Sequence, residues 1–168
     1  MGVEDHRAAA GRLEALRGAV VTITDSRAAG DDTSGDLIAH LLEEGGHEVA
    51  ARALLPNELV TVRARVAALL REELHFVITT GGTGIGKRDV TIEAVTPLIE
   101  KRLDGFGELF RALSYAEVGS AALMSRAVAG TADGRVICCL PGSTKAVQLA
   151  MTTLILPELT HLVWQAGR

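Results

Sequence analysis

Aromatic side chains are scarce in this chain: three Phe, one Trp and one Tyr among 168 residues. With 48% of the residues apolar, a compact core is affordable, but it must be aliphatic, filled by Ala, Val, Leu and Ile. A basic excess is absent too. The 17 Lys and Arg are outnumbered by 21 Asp and Glu, for a net charge of -4. With no block of basic residues, this argues against a general nucleic-acid binder, and any anionic ligand must be met by local charges. Cysteine is limited to Cys138 and Cys139. Adjacent residues of a strand point to opposite faces, so the pair makes neither a disulfide nor a CxxC metal site, and both are expected as small core residues.

Long apolar runs are missing as well: none reaches about 18 residues, and the N-terminus has no signal-peptide core. The expectation is a soluble cytoplasmic protein with no membrane partner. His6, His40, His47, His75 and His161 show no metal-ligand spacing and read as structural or exposed. Internal repeats and low-complexity linkers are lacking, which predicts a single domain over 18–168 behind an N-terminal arm, 1–17, that is helical or frayed. A chain of this length can bury roughly 70% of its unfolded surface.

What is present centres on residues 75–91, His-Phe-Val-Ile-Thr-Thr-Gly-Gly-Thr-Gly-Ile-Gly-Lys-Arg-Asp-Val-Thr. An apolar β-branched run enters a glycine-dense turn and leaves it through Lys87, Arg88 and Asp89 into a new helical pattern. Glycines let a backbone bend tightly and aim its N–H groups at an anion, and a following helix N-terminus adds partial positive charge. Two common phosphate motifs are excluded. Gly81 to Lys87 has P-loop spacing, but Arg88 stands where a Ser or Thr must meet Mg²⁺; Lys87 likewise occupies the third glycine position of a Rossmann fingerprint.

In chain order, 18–24 predicts a buried strand ending in the polar Asp25-Ser26-Arg27. Asp31-Asp32-Thr33-Ser34-Gly35 offers caps for a helix through Leu37, Ile38, Leu41 and Leu42, stopped by Gly45-Gly46. A second strand is expected over 47–55. Asn57 suits the N-cap of a helix carrying Leu59, Val62, Val66, Leu69 and Leu70 on one face. The helix after the glycine loop should run over 91–101, kinked or broken by Pro97. Three strand–helix units in series imply an α/β fold, with a mainly parallel sheet between two helical layers.

Beyond Leu103 the pattern becomes irregular. Gly105-Phe106-Gly107-Glu108 reads as a corner, followed by short helical pieces through Leu113, a capping box at Ser114-x-x-Glu117 and another short helix over 122–126. Asp133-Gly134 between two apolar runs predicts a β-hairpin over 127–131 and 135–140. Its second arm leads into a second glycine turn, Pro141-Gly142-Ser143-Thr144-Lys145. The closing helix should span 144–164, with Pro157 as a possible bend.

Several residues have two readings each. Asp89 can hold Mg²⁺ through one or two carboxylate oxygens, or favour the helix start. Asn57 can orient a ligand or metal-bound water, or serve only as a cap. Ser143 and Thr144 can donate to a phosphate or cap the last helix, with Lys145 beside them. Arg111 and Arg126 can close over an anion or pair with carboxylates.

Taken together, 79–84 with Arg88-Asp89-Val90-Thr91, Gly105-Phe106-Gly107-Glu108, Ser125-Arg126 and 140–145 resemble the MogA/MoaB family of molybdenum-cofactor biosynthesis. Residues 31–35 and 106–130 are especially similar to its MoaB branch. The likeness covers about 18–162. It implies a molybdopterin pocket, a homotrimer or homohexamer, a place among other proteins of cofactor biosynthesis, and Mg²⁺-dependent transfer of AMP from ATP to the terminal phosphate of molybdopterin with release of pyrophosphate. By position, Asp89 would help hold Mg²⁺, and Thr80, Gly81, Gly82, Thr83 and Gly84 would line the nucleotide or pterin phosphates. Ser26, Ser125, Pro141, Gly142, Ser143 and Lys145 would line the rest of the pocket. The sequence departs from the MogA pattern at Asn57, where that branch carries an Asp. An amide supplies no second negative charge for Mg²⁺, so the alternative implied is a non-catalytic molybdopterin-binding or carrier protein.

Overall fold

The computed structural model describes residues 15–26 and 31–168; most of the expected N-terminal arm, and Arg27, lie outside them. Strands β1 (Arg17–Ile23), β2 (Glu48–Leu55) and β3 (Phe76–Thr80) alternate with helices α1 (Thr33–Glu44) and α2 (Leu59–Leu69). After β3 come α3 (Thr91–Val95), a 3₁₀ turn, the two-residue β4 (Lys101–Arg102) and α4 (Asp104–Val118). A second 3₁₀ segment leads to β5 (Val128–Ala132), β6 (Arg135–Leu140), α5 (Thr144–Ala150) and α6 (Leu156–Ala166). The six strands form one sheet in the order β2-β1-β3-β6-β5-β4. β2, β1, β3 and β6 run parallel, whereas β5 and β4 are antiparallel to their neighbours. The expected α/β architecture is therefore present.

Side chains alternate across the sheet and divide the core in two. Val20, Phe76, Ile78, Val136, Cys138 and Leu140 pack beneath α1, α4, α5 and α6. Val21, Val77, Ile137 and Cys139 pack beneath α2 and α3 on the other side. Cys138 and Cys139 thus face opposite layers, as their adjacency requires. The core is aliphatic apart from Phe76 and Phe110, and Phe76 occupies space that Gly18 leaves open: a Cβ there would come within 2.0 Å of its ring.

Four expectations are corrected. First, the helix from Thr91 does break early, as Pro97 implied, but it ends at Val95 and not at 101: Thr96–Leu98 is a 3₁₀ turn, Ile99 is already extended, and Lys101–Arg102 forms an edge strand on Gly130 and Thr131. Second, 104–118 is one continuous helix, not a corner with short pieces. Gly107 brings α4 close to β5, since a Cβ there would meet the Ala127 carbonyl at 3.1 Å, and Phe106 stacks on Phe110 one turn on. Ser114 and Glu117 consequently lie inside the helix and form no capping box. Third, the 122–126 helix is a 3₁₀ segment, Gly119–Met124. Fourth, Asn57 is not an N-cap: Glu58 holds that position, without a side-chain cap bond.

The hairpin forms as expected, with Asp133 and Gly134 at φ of 50° and 73°, the left-handed pair that matches strand twist in a two-residue turn. The closing helical run is interrupted just before Pro157 by a π turn, Met151–Ile155, and Pro157 falls in the first turn of the α-helix that follows. That run, Thr144–Ala166, is long and apolar enough by composition to span a membrane. One face of it, Val147, Met151, Ile155 and Leu159, is fully buried against the sheet.

Candidate functional site

In an open parallel sheet, a crevice opens at the strands' C-terminal ends between two neighbouring strands whose onward connections leave in opposite directions. β1 and β3 are such neighbours: β1 leads to β2 on one side, and β3 leads on to the strands of the other side. The glycine loop leaves β3 at this edge, and the second glycine turn leaves β6 beside it. Glycine at both lets them touch. A Cβ on Gly142 would be 3.2 Å from Gly81 Cα, the Gly81 N–H donates to the Leu140 carbonyl at 3.0 Å, and the Thr80 hydroxyl donates to the Pro141 carbonyl at 2.9 Å. The two predicted anion loops are therefore one continuous floor.

A cavity of about 690 Å³ opens on this floor. Gly81, Gly82, Thr83, Gly84 and Asp89 line one wall, and Pro141, Gly142, Ser143, Thr144 and Lys145 another. α4 and the following 3₁₀ segment close the third with Phe110, Ser114, Glu117, Met124 and Ser125. Next to it lies a polar depression of about 350 Å³, lined by Thr22, Thr24, Ser26, Thr80 and Ser143 among others. Ser26 belongs to this smaller space and not to the large one. A third hollow, about 760 Å³, lies under α4 and α6 among Phe106, Leu109, Leu154 and Leu162; it is remote from both loops.

The loop's own bonds set its shape. Gly81 and Gly82 have φ of 90° and 63°, and the Thr91 hydroxyl and N–H bind their carbonyls at 2.8 and 2.9 Å respectively. Arg126 binds the next two carbonyls, Thr83 through Nε at 3.1 Å and Gly84 through Nη2 at 2.5 Å, while its remaining nitrogen pairs with Glu93. Arg126 thus contacts the glycine loop and a carboxylate and does not line the cavity. Its bond to Glu93 is the main reason the Glu93 carboxyl lies below its usual range. The N–H groups of Gly82, Thr83 and Gly84 have no acceptor among the described residues.

Asp89 accepts the Gly86 N–H at 2.9 Å, and its carboxylate fits only because Gly84 and Gly86 lack Cβ atoms, which would lie 2.6 and 2.9 Å from it. The N-cap of α3 is Val90, so Asp89 closes the glycine turn and does not cap the helix. Ser143 is the N-cap of α5 and accepts the Ala146 N–H at 3.2 Å, which leaves its hydroxyl proton available to a ligand. The buried Ser125 Oγ on the cavity wall has no protein partner among the described residues, and so suits a hydrogen bond to a bound molecule.

Asn57 is near but behind. Its backbone N–H donates to Asp25 at 2.9 Å, and its buried Oδ1 would be 2.5 Å from a Cβ on Gly82. It lines none of the three spaces. Asp25 is held below the usual carboxylate range by the Asn57 backbone bond first, helped by Arg88 at 2.9 Å. Arg111 lies outside the main cavity, in hollows on the far side of α4. The carboxylate reading of Arg126 holds in its pair with Glu93; sequence reasoning missed the bonds of Thr91 and Arg126 to the loop carbonyls, the Asp25–Arg88 pair, and Ser114 and Glu117 on the wall. The last two could have been found only by recognising 104–118 as one helix.

No group of three or more His, Cys, Asp or Glu residues suited to a metal occurs among the described residues. Asp89 is one of two carboxylates on the cavity walls, with Glu117, and its side chain would suit Mg²⁺, which is commonly held by one or two carboxylates together with substrate phosphates and water.

A family model described as "Probable molybdopterin binding domain" matches residues 19–161. The molybdenum cofactor biosynthesis protein B of Bacillus cereus is 45% identical over 100% of this chain and 99% of its own length. Among solved structures, a molybdenum cofactor biosynthesis protein B superposes with a TM-score of 0.89 at 46% identity, covering 92% of this chain and 98% of that one. The tungsten cofactor synthesizing protein MoaB from Pyrococcus furiosus follows at 0.86 and 36%, covering 93% and 99%.

Proposed function

Since the chain belongs to the molybdopterin-binding family of cofactor-biosynthesis proteins and is a homologue of molybdenum cofactor biosynthesis protein B, we propose that it is a molybdopterin adenylyltransferase. In this reading the terminal phosphate oxygen of molybdopterin attacks the α-phosphorus of ATP. The bond from that phosphorus to the β-phosphate bridging oxygen breaks, and pyrophosphate leaves with the electron pair. Both reactants are anions, so the protein's work is to neutralise charge and hold them in line.

The observation that carries the proposal is the meeting of the two glycine loops with Asp89 on one cavity wall and Lys145 on another. The N–H groups of Gly82, Thr83 and Gly84, without an acceptor among the described residues, and the N-terminus of α5 would bind phosphate oxygens. Lys145 would add a full positive charge. Asp89 would hold Mg²⁺, which supplies charge neutralisation to the phosphates when bound. Ser125, Ser143 and the apolar wall of α4 would seat the pterin and base, with Thr80 and Pro141 supporting the floor and Ser26 the adjoining depression. Homotrimer or homohexamer formation is supported by the exposed Tyr115, Val118, Leu123 and Met124 on α4 and the segment after it. A cytoplasmic setting among other proteins of the pathway accords with that role.

Asn57 favours one other reading, a non-catalytic molybdopterin-binding or carrier protein, because its amide adds no charge to a metal site. Turnover by the parent chain separates the two, because a carrier releases no pyrophosphate; Asp89→Asn then tests the carboxylate. If transfer is the function, the variant binds molybdopterin, unfolds at the same denaturant concentration as the parent to within about 1 kcal/mol, and loses Mg²⁺-dependent AMP transfer. Full activity in Asp89→Asn would remove the role assigned to that carboxylate.

A further inference from the structure

Four successive carbonyls of the glycine loop are bound on the side away from the cavity. Thr91, itself fully buried, takes Gly81 through its hydroxyl and Gly82 through its N–H; Arg126 takes Thr83 and Gly84 with two nitrogens of one guanidinium. Neither Thr91 nor Arg126 lines the cavity that the loop lines.

A trans peptide is planar, with its C=O and N–H pointing in opposite directions. Pinning a carbonyl therefore aims the next residue's N–H. Binding the Gly81, Gly82 and Thr83 carbonyls from behind turns the N–H groups of Gly82, Thr83 and Gly84 toward the cavity, and binding Gly84 does the same for Ile85. Gly82 at positive φ is followed by Thr83, whose φ is not positive, and such a change of hand between neighbouring residues is the backbone setting in which successive N–H groups converge on one anion.

We propose that Thr91 and Arg126 are positioning residues that preorganise these N–H groups as a phosphate-binding concavity, with Glu93 anchoring the guanidinium from α3. A guanidinium suits the task because its planar fork reaches two carbonyls and a carboxylate together, which an ammonium on a flexible stem does not. The inference rests on the proposed function for the identity of the anion. Its test therefore uses a ligand that needs only the loop.

Inorganic pyrophosphate with Mg²⁺ is titrated into the full chain by calorimetry, with urea unfolding of each variant in parallel. Thr91→Val, which removes one loop bond and keeps the shape, and Arg126→Gln should each weaken binding by about tenfold. Thr91→Ser, which restores the hydroxyl, should bind within about twofold of the parent. Arg126→Lys should stay weak. In ¹⁵N spectra the amide signals of Gly82, Thr83 and Gly84 should move in the weak variants. If Arg126→Gln does not fold, Thr91→Val against Thr91→Ser decides alone. Parent-like binding in folded Thr91→Val and Arg126→Gln overturns the inference, and so does Thr91→Ser binding as poorly as Thr91→Val. A parent chain that binds no pyrophosphate overturns the phosphate-loop reading itself, a distinct result.

Discussion

Gly81→Ala should be among the costliest single-methyl additions in this protein, and the structure says how the cost divides. Gly81 has φ of 90°, and a Cβ placed on it would lie 2.2 Å from the backbone carbonyl oxygen of Ile23. That oxygen terminates β1 in the centre of the sheet and cannot rotate away as a side chain could. The left-handed backbone costs an L-residue about 1–2 kcal/mol, and forced overpacking adds about 1–3 kcal/mol. The total, about 2–5 kcal/mol, is a large share of the roughly 5–15 kcal/mol by which domains are stable. Gly46 provides the control: its φ is 81°, and nothing lies within 4 Å of its Cβ position. Gly46→Ala should therefore pay only the torsional part. Urea unfolding of both variants at unchanged slope should show Gly81→Ala less stable than Gly46→Ala by about 1–3 kcal/mol. Equal losses would refute the claim that the loop is pressed against the end of β1.

Other outcomes follow from the same geometry. Asn57→Asp would set a carboxylate against Asp25, so it should lower stability at neutral pH by about 1–2 kcal/mol. The loss should shrink as pH falls through the carboxylate range, and an unchanged urea midpoint at neutral pH would contradict the placement. Glu93 has its folded pKa depressed by Arg126. Its ion pair therefore contributes above the ordinary carboxyl value of 4.5 and is lost as pH falls through the depressed one; the stability gap between parent and Glu93→Gln should close on acidification, and a gap constant from neutral to acid pH would count against the pair. Both thiols are buried, and burial raises the Cys138 thiol far above its ordinary value and the Cys139 thiol to about 12. The native protein should leave both unreacted with a thiol reagent at about pH 8 and release both only on unfolding; rapid native labelling would contradict their place in the core.

The parallel β-α order could be read from the sequence because each strand is a short apolar run and each turn carries its own punctuation: Gly45-Gly46, the glycine loop, Asp133-Gly134. The family motifs likewise pointed to Gly81–Gly84, Asp89 and residues 141–145, and the structure brings these to one cavity. Residues 104–118 were harder because Gly105 and Gly107 look like helix breakers. At 107 glycine instead makes room for the Ala127 carbonyl, a tertiary demand no local pattern announces. Asn57 shows the same limit. Its type and position after a proline suit a cap, yet the chain places it against Gly82 and Asp25, residues far away in sequence. Arg126 could be picked out as part of a family motif and weighed as closing over an anion or pairing with a carboxylate, but only the fold shows that it binds the back of the glycine loop.

The most direct test is to combine the purified chain with molybdopterin, ATP and Mg²⁺ and follow pyrophosphate and adenylylated pterin together. The account predicts both products in equal amounts from the parent chain and neither from Asp89→Asn. Molybdopterin binding with no pyrophosphate and no adenylylated pterin would contradict the enzyme reading and assign the cavity to a binding or carrier role.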